Sequence, residues 1–175
     1  MEVSAVIPTR GDVDLSPIVE SLRRFPAIKE IMFEIGNTPY NRYLGAARAR
    51  FPIVYTQDDD CVTDIGPILE NYRPGVIVNA MTPSHAQAYR GEETLIGLGA
   101  IFDRSMVQVL DEWEKDELFL READRIFATI NPHFTVFPEI RTLPCAHNAN
   151  RYYRQPEHGA SHVAIRERIN ARRNS

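Results

Sequence analysis

Residues 52–62 read Pro-Ile-Val-Tyr-Thr-Gln-Asp-Asp-Asp-Cys-Val, an apolar run that breaks directly into three adjacent carboxylates. A short apolar stretch ending in turn-forming residues is the pattern of a strand buried on both faces. Pro52–Thr56 is that strand, and Asp58-Asp59-Asp60 lies just past its carboxyl end. Three neighbouring negative charges repel one another, so a folded chain must offset them with a cation or with full solvation. On extended backbone alternate side chains share a face, which would put Asp58 and Asp60 together and turn Asp59 away. Two such carboxylates, with coordination positions left for phosphate oxygens, suit a hard divalent cation, Mg2+ or Mn2+. The same residues also read as a solvated loop.

Working outward, Val3–Pro8 is a short β-type run that ends in Pro-Thr-Arg-Gly-Asp, and Glu30–Ile35 is a second strand stopped by Gly-Asn-Thr-Pro. Between them Ser16 reads as an N-cap with Pro17 at the first helical position, opening a helix to about Phe25. Tyr43–Arg50 reads as a short helix, and Gly75–Ala80 as a fourth strand. Thr94–Phe102 is apolar with glycines at 97 and 99, the pattern of a strand with a close backbone approach. Ser105 with Gln108 three residues on makes a capping box. Met106, Val109, Leu110 and Trp113 then form a core-facing stripe, followed by a second one of Phe119, Ala123, Ile126, Phe127 and Ile130. Strands alternating with helices predict an α/β sandwich with a mostly parallel central sheet flanked by helices. In such sheets ligands sit outside the carboxyl ends of the strands, where Pro8-Thr9-Arg10 and the Asp triplet both fall.

The 175 residues predict one domain, 1–175, large enough to bury roughly two-thirds of its unfolded surface. With 43% hydrophobic and 25% charged residues, a disordered, coiled-coil or collagen-like chain is excluded. No apolar run approaches the ~20 residues that span a bilayer, and Met1–Arg10 lacks a secretory pattern, so a cytoplasmic protein is expected. Cys61 and Cys145 stand alone, which excludes a disulfide framework or a cysteine zinc site. The net charge of −4 argues against a general nucleic-acid binder. Residues 151–175, however, carry six Arg against Glu157 and Glu167, a basic segment suited to a phosphate-bearing partner or to a solvated terminal helix.

Asp124 borders the second apolar stripe, so it is either ion-paired on its helix, with Arg121 or Arg125, or placed at a cleft. A carboxyl beside apolar side chains holds its proton more tightly, which a general base can use. His158 and His162 share one face of a helix, as a metal pair or a surface patch.

In their order, VSAVIPTRGD, IMFEIGN, PIVYTQDDDCV, TLIGLGAIFDRSMV, EADRIFATI and YRQPEH resemble a nucleotide-sugar glycosyltransferase of GT-A type, family 2-like and exostosin-like, from Val3 to about His162. The resemblance implies a Rossmann-like GT-A sandwich and a sugar moved from a nucleoside-diphosphate sugar, UDP favoured, to an acceptor hydroxyl. It implies that Asp58, Asp59 and Asp60 serve the donor diphosphate through Mn2+ or Mg2+, with Asp58 and Asp60 as metal ligands. Pro8, Thr9, Arg10, Asn37, Arg42 and Tyr43 are implied to line the nucleotide pocket, and Gly99 to belong to its glycine-rich floor. Asp124 stands for the base of inverting members, in a Glu122-Ala123-Asp124 version that splits the usual adjacent pair. His158, with His162 as second choice, stands for a histidine that completes the metal shell. A looser resemblance, to phage enzymes that glycosylate hydroxymethylated pyrimidines in DNA, makes modified DNA an acceptor to test and the host cytoplasm its setting. A metal-dependent nucleotidyltransferase or phosphohydrolase, and a non-catalytic nucleotide-sugar-binding protein, remain as alternative readings.

Overall fold

The structure, a computed structural model, describes residues 1–89, 94–147 and 154–174. Its strands are β1 (Val3–Thr9), β2 (Ile28–Ile35), β3 (Ile53–Thr56), β4 (Cys61–Thr63), β5 (Ile77–Ala80), β6 (Ala100–Asp103), β7 (His133–Val136) and β8 (Ile140–Thr142). Its α-helices are α1 (Ser16–Arg23), α2 (Asn41–Arg48), α3 (Gly66–Glu70), α4 (Pro83–Tyr89), α5 (Glu117–Ile130) and α6 (His158–Arg173). Six strands make the central sheet in the order β2-β1-β3-β6-β5-β7, while β4 and β8 pair in a small separate sheet. The central sheet is mostly parallel, as the alternating pattern predicts. β1 runs parallel to β2 and β3, and β5 to β7; β6 alone is reversed, antiparallel to both β3 and β5.

Side-chain alternation explains why these apolar runs are continuous. Val3, Ala5 and Ile7 of β1 and Tyr55 of β3 face a layer that includes Ile18 and Leu22 of α1 and Ile68 of α3. Val6 and Val54 face the opposite layer, with Tyr43 of α2 and Phe119, Ile126 and Phe127 of α5. A strand buried on both faces has no solvent side and so no polar alternation.

Several local expectations change. Ser16 is the first residue of α1 and does not cap it; Asp14 Oδ1 accepts the Ser16 backbone N–H at 2.9 Å. The segment predicted as strand 94–102 is extended only from Ala100. Gly99 takes φ +126°, open to glycine, and its N–H closes a turn onto Ile96 O at 3.1 Å. The Ser105 helix is a 3₁₀ helix, Arg104–Leu110, with Asp103 at its N-cap and no capping box. Asp103 is already engaged by the Tyr72 hydroxyl and the Gly75 N–H.

Four arginines of the basic C-terminal segment are engaged within the fold. Ile165 and Ile169 of α6 are buried in the layer that holds α5. Arg168 makes a two-pronged contact with Asp116, at 3.1 and 2.6 Å, and Asp116 caps α5 through the Phe119 N–H. Arg172 reaches Glu112 at 2.7 Å and lies over the Trp113 ring, Arg173 donates to Thr129 O, and Arg154 to Ala146 O. Arg168, Arg172 and Arg173 clamp α6 to the body of the protein. The Arg151-Tyr152-Tyr153 run falls outside the described residues. Among the described residues no helix is long and apolar enough to cross a membrane.

Candidate functional site

The carboxyl ends of β1, β2 and β3 open onto one cleft of about 1080 Å³. β1 delivers Pro8, Thr9 and Arg10; the turn after β2 delivers Asn37; the loop after β3 delivers Asp58, Asp59 and Asp60. Because β6 is reversed, the loop that precedes it also reaches this edge, bringing Thr94 and Gly97. The far wall is α5 with Glu122 and Asp124, and α6 with His158 and His162. Residues from six separate stretches of sequence, all singled out by pattern or resemblance, thus meet in one place.

Asp59 and Asp60 form a turn and not extended chain, so the alternation expected for Asp58 and Asp60 does not apply; all three residues border the cleft. Gln57, which sequence reading passed over, pins this turn. Its amide donates to Cys61 O at 2.5 Å, and its Oε1 accepts the Tyr55 hydroxyl at 2.8 Å. Leu143 N–H bonds Asp60 O, and the Asp58 N–H bonds Gly97 O, both at 2.7 Å. A side chain on residue 97 would overlap the Asp58 carboxylate, which is why this position is glycine.

Arg42 is the electrostatic centre of the cleft. It is buried, yet its Nη2 donates to Asp58 Oδ1 at 2.5 Å and its Nε lies 3.0 Å from Asp124 Oδ1. Burial works against the guanidinium charge, but Asp124 and Asp58 more than offset it and make the proton harder to remove. Tyr43 lies behind, fully buried, and its hydroxyl donates to Asp124 Oδ1 at 2.9 Å. Arg42 borders the cleft and Tyr43 does not, so Tyr43 orients Asp124 instead of lining the pocket. Gly99 also lies outside the lining, under Tyr55 and Ile68, and Gly97 and Leu98 occupy the surface in its stead.

Asp124 is thus held by Arg42 and Tyr43, not by its helical neighbours. Arg121 pairs with Glu117, and Arg125 faces Glu122. The Asp124 carboxyl is raised to about 6, the balance of burial, which pushes it up, Arg42, which pulls it down, the Asp58 charge, which pushes it up, and the Tyr43 hydrogen bond, which lowers it. The backbone departs from helical geometry at Glu122 (φ −111°, ψ 16°), kinking α5 two residues before Asp124. Sequence alone gave no sign of that break.

His158 borders the same cleft as Asp58 and Asp60. Among the described residues, the group of three whose ligand atoms lie within 4.8 Å of one another is Glu122, His158 and His162. Burial and the Arg125 charge hold the His158 imidazole below its usual range. Asp58, Asp59 and Asp60 are not such a group of three, and Asp58 Oδ1 is held by Arg42; the carboxylates are oxygen donors, the class that hard divalent cations take.

No protein-family model matches the chain, and no curated protein matches it. Solved structures do share its fold. A197 from STIV aligns with 82% of this chain and 86% of its own, at a TM-score of 0.52 and 13% identity. HddC from Yersinia pseudotuberculosis, complexed with GMP-PN, aligns over 87% and 97% at 0.53 and 11% identity. A CMP:2-keto-3-deoxy-manno-octonic acid synthetase complexed with CTP aligns over 95% and 100% at 0.50 and 9% identity. At these identities the likeness establishes a Rossmann-like mixed α/β fold, in agreement with the alternation of strands and helices.

Proposed function

We propose that this chain is a transferase that binds a nucleoside-diphosphate sugar, UDP-sugar favoured, in the cleft and moves the sugar to an acceptor hydroxyl. The observation that carries the reading is Asp124, a carboxyl raised to about 6 that borders the strand-end cleft and shares Arg42 with Asp58 of the Asp58–Asp60 loop. A base whose proton affinity sits just below neutral pH is ionised at pH 7 yet still takes a proton effectively. In a transfer with inversion, the acceptor hydroxyl gives its proton to such a base. Tyr43 and Arg42 fix the carboxylate's direction, and Arg42 ties it to the Asp58 loop so that base and donor site move as one. Arg10, at the β1 end, borders the donor side of the cleft and offers charge to a departing diphosphate.

Asp58 and Asp60 are the residues that would hold Mn2+ or Mg2+; when bound, the ion supplies Lewis-acid stabilisation to the leaving diphosphate. Asn37, near the end of β2, is assigned to the nucleoside. A hydroxymethylated-DNA acceptor would draw on less of the basic segment's charge, because Arg168 and Arg172 are paired with Asp116 and Glu112.

A second reading, nucleotidyl transfer, is favoured by the fold likeness to a synthetase bound to CTP. Calorimetric titration separates the two. UDP, GDP, CDP and TDP, their sugars, and CTP and GTP are titrated with Mn2+ and again with EDTA, on the native chain and on Asp60→Ala. Metal-dependent binding of a diphosphate sugar, lost in Asp60→Ala and accompanied by slow release of free sugar, supports glycosyl transfer. Preference for a triphosphate, with pyrophosphate released on adding a sugar phosphate, moves the assignment to nucleotidyl transfer. Absence of binding by every nucleotide overturns both.

A further inference from the structure

The far wall of the cleft holds a second donor set, unlike the Asp triplet in chemistry. Glu122, His158 and His162 bring one carboxylate and two imidazoles together with all ligand atoms within 4.8 Å. Glu122 Oε2 and His162 Nε2 stand 3.5 Å apart, and the two imidazole rings meet at 3.9 Å between centroids. A tetrahedral Zn2+ with bonds of about 2.0–2.1 Å holds its ligand atoms about 3.3 Å from one another, close to the Glu122–His162 spacing. The three residues come from rigid elements. His158 and His162 are one helical turn apart on α6, whose docking is fixed by Arg168 and Arg172. Glu122 is buried at the break in α5, where the departure from helical geometry accompanies its turn toward α6.

We infer that Glu122, His158 and His162 form a binding site for a nitrogen-preferring divalent transition metal, Zn2+ in the first instance, separate from the Asp58–Asp60 loop and independent of the nucleotide reading. Two imidazoles and one carboxylate favour Zn2+ over Mg2+, which takes oxygen ligands. Three protein ligands leave a fourth position facing the cleft. Arg125 sets the counterweight. Its Nη2 donates to His162 Nδ1 at 2.8 Å and its Nε lies 3.5 Å from Glu122 Oε2. The guanidinium supplies the positive charge that the metal replaces, and it must swing aside on binding.

The test is calorimetric titration with Zn2+ alone, followed by Mg2+ alone, with thermal unfolding in parallel. One Zn2+ per chain is expected, with no response to millimolar Mg2+ at this set and a Tm that rises with Zn2+ concentration. His158→Ala and His162→Ala each weaken Zn2+ binding at least 10-fold, whereas Asp60→Ala and Cys145→Ser leave it unchanged. Arg125→Leu removes the competing cation and tightens binding. His162→Gln replaces His162→Ala if the alanine variant loses its far-ultraviolet circular dichroism. No saturable Zn2+ binding, binding that survives loss of either histidine, or binding lost in Asp60→Ala or Cys145→Ser overturns the inference. Because nucleotide binding is read with Mn2+ and depends on Asp60, failure of one reading leaves the other standing.

Discussion

Replacing Asp124 with Asn tests the electrostatics of the cleft and its chemistry in the same variant. The Asp124 carboxyl sits at about 6 in the folded protein against 3.8 in an unfolded chain, a difference of about two pH units. Each unit is worth 1.36 kcal/mol, so the linked free energy is about 3 kcal/mol, a ceiling because 26% of the side chain remains open to water. The sign follows from the raised value. Between pH 4 and pH 6 the folded state binds more protons than the unfolded one. Stability from this group is therefore fully present below about pH 4 and is lost as pH rises through about 6. Urea unfolding at half-unit steps from pH 4 to pH 8, at fixed ionic strength, reads this directly. The difference in unfolding free energy between Asp124→Asn and the native chain should grow by up to about 3 kcal/mol across that range, then level off. In parallel, the native chain's transfer rate should rise through pH 6, and the variant's should fall by roughly 10²–10⁴ and lose that limb. Parallel stability curves for the two proteins would refute the assignment of a perturbed, buried carboxyl.

Two further substitutions probe the same network. Gly97→Ala places a Cβ against the Asp58 carboxylate, 2.8 Å from Cγ, and should cost about 1–3 kcal/mol in urea unfolding while weakening Mn2+-dependent nucleotide binding. An unchanged binding isotherm would remove Gly97 from the donor site. Arg42→Met leaves Asp58 and Asp124 without their shared cation, at a cost of about 3–5 kcal/mol, and should push the Asp124 carboxyl higher still. A stability loss under 1 kcal/mol would mean that solvent, not Arg42, carries those charges.

The strands were legible because burial on both faces leaves continuous apolar runs, and the Asp triplet marked the cleft because nothing in a sheet core tolerates it. What escaped reading is long-range pairing. Asp124 reads equally well as a partner of Arg121, three residues away, yet its partners are Arg42 and Tyr43 from a different helix. The arginines of α6 look like a phosphate-binding surface until their acidic partners at 112 and 116 are brought beside them. Residues 94–99 read as strand because Leu, Ile and Gly alternate there, but the glycines turn the chain to meet Asp58. In each case local composition was compatible with two conformations, and contacts more than 35 positions away selected one.

The reversed β6 has a consequence during synthesis. β5, buried along its whole length, pairs only with β6 and β7, which both follow it in the chain. Ala80 pairs with Val136, 56 positions later. At about 5–20 residues per second a ribosome needs roughly 3–11 s to cover that interval. β6 emerges about 20 residues after β5, so the apolar strand first has no neighbour and then, until β7 is made, only one, while β1, β2 and β3 can already assemble. Slow translation between positions 80 and 136 would lengthen the exposure, so aggregation of nascent chains should respond to codon choice in that interval more than to codon choice elsewhere.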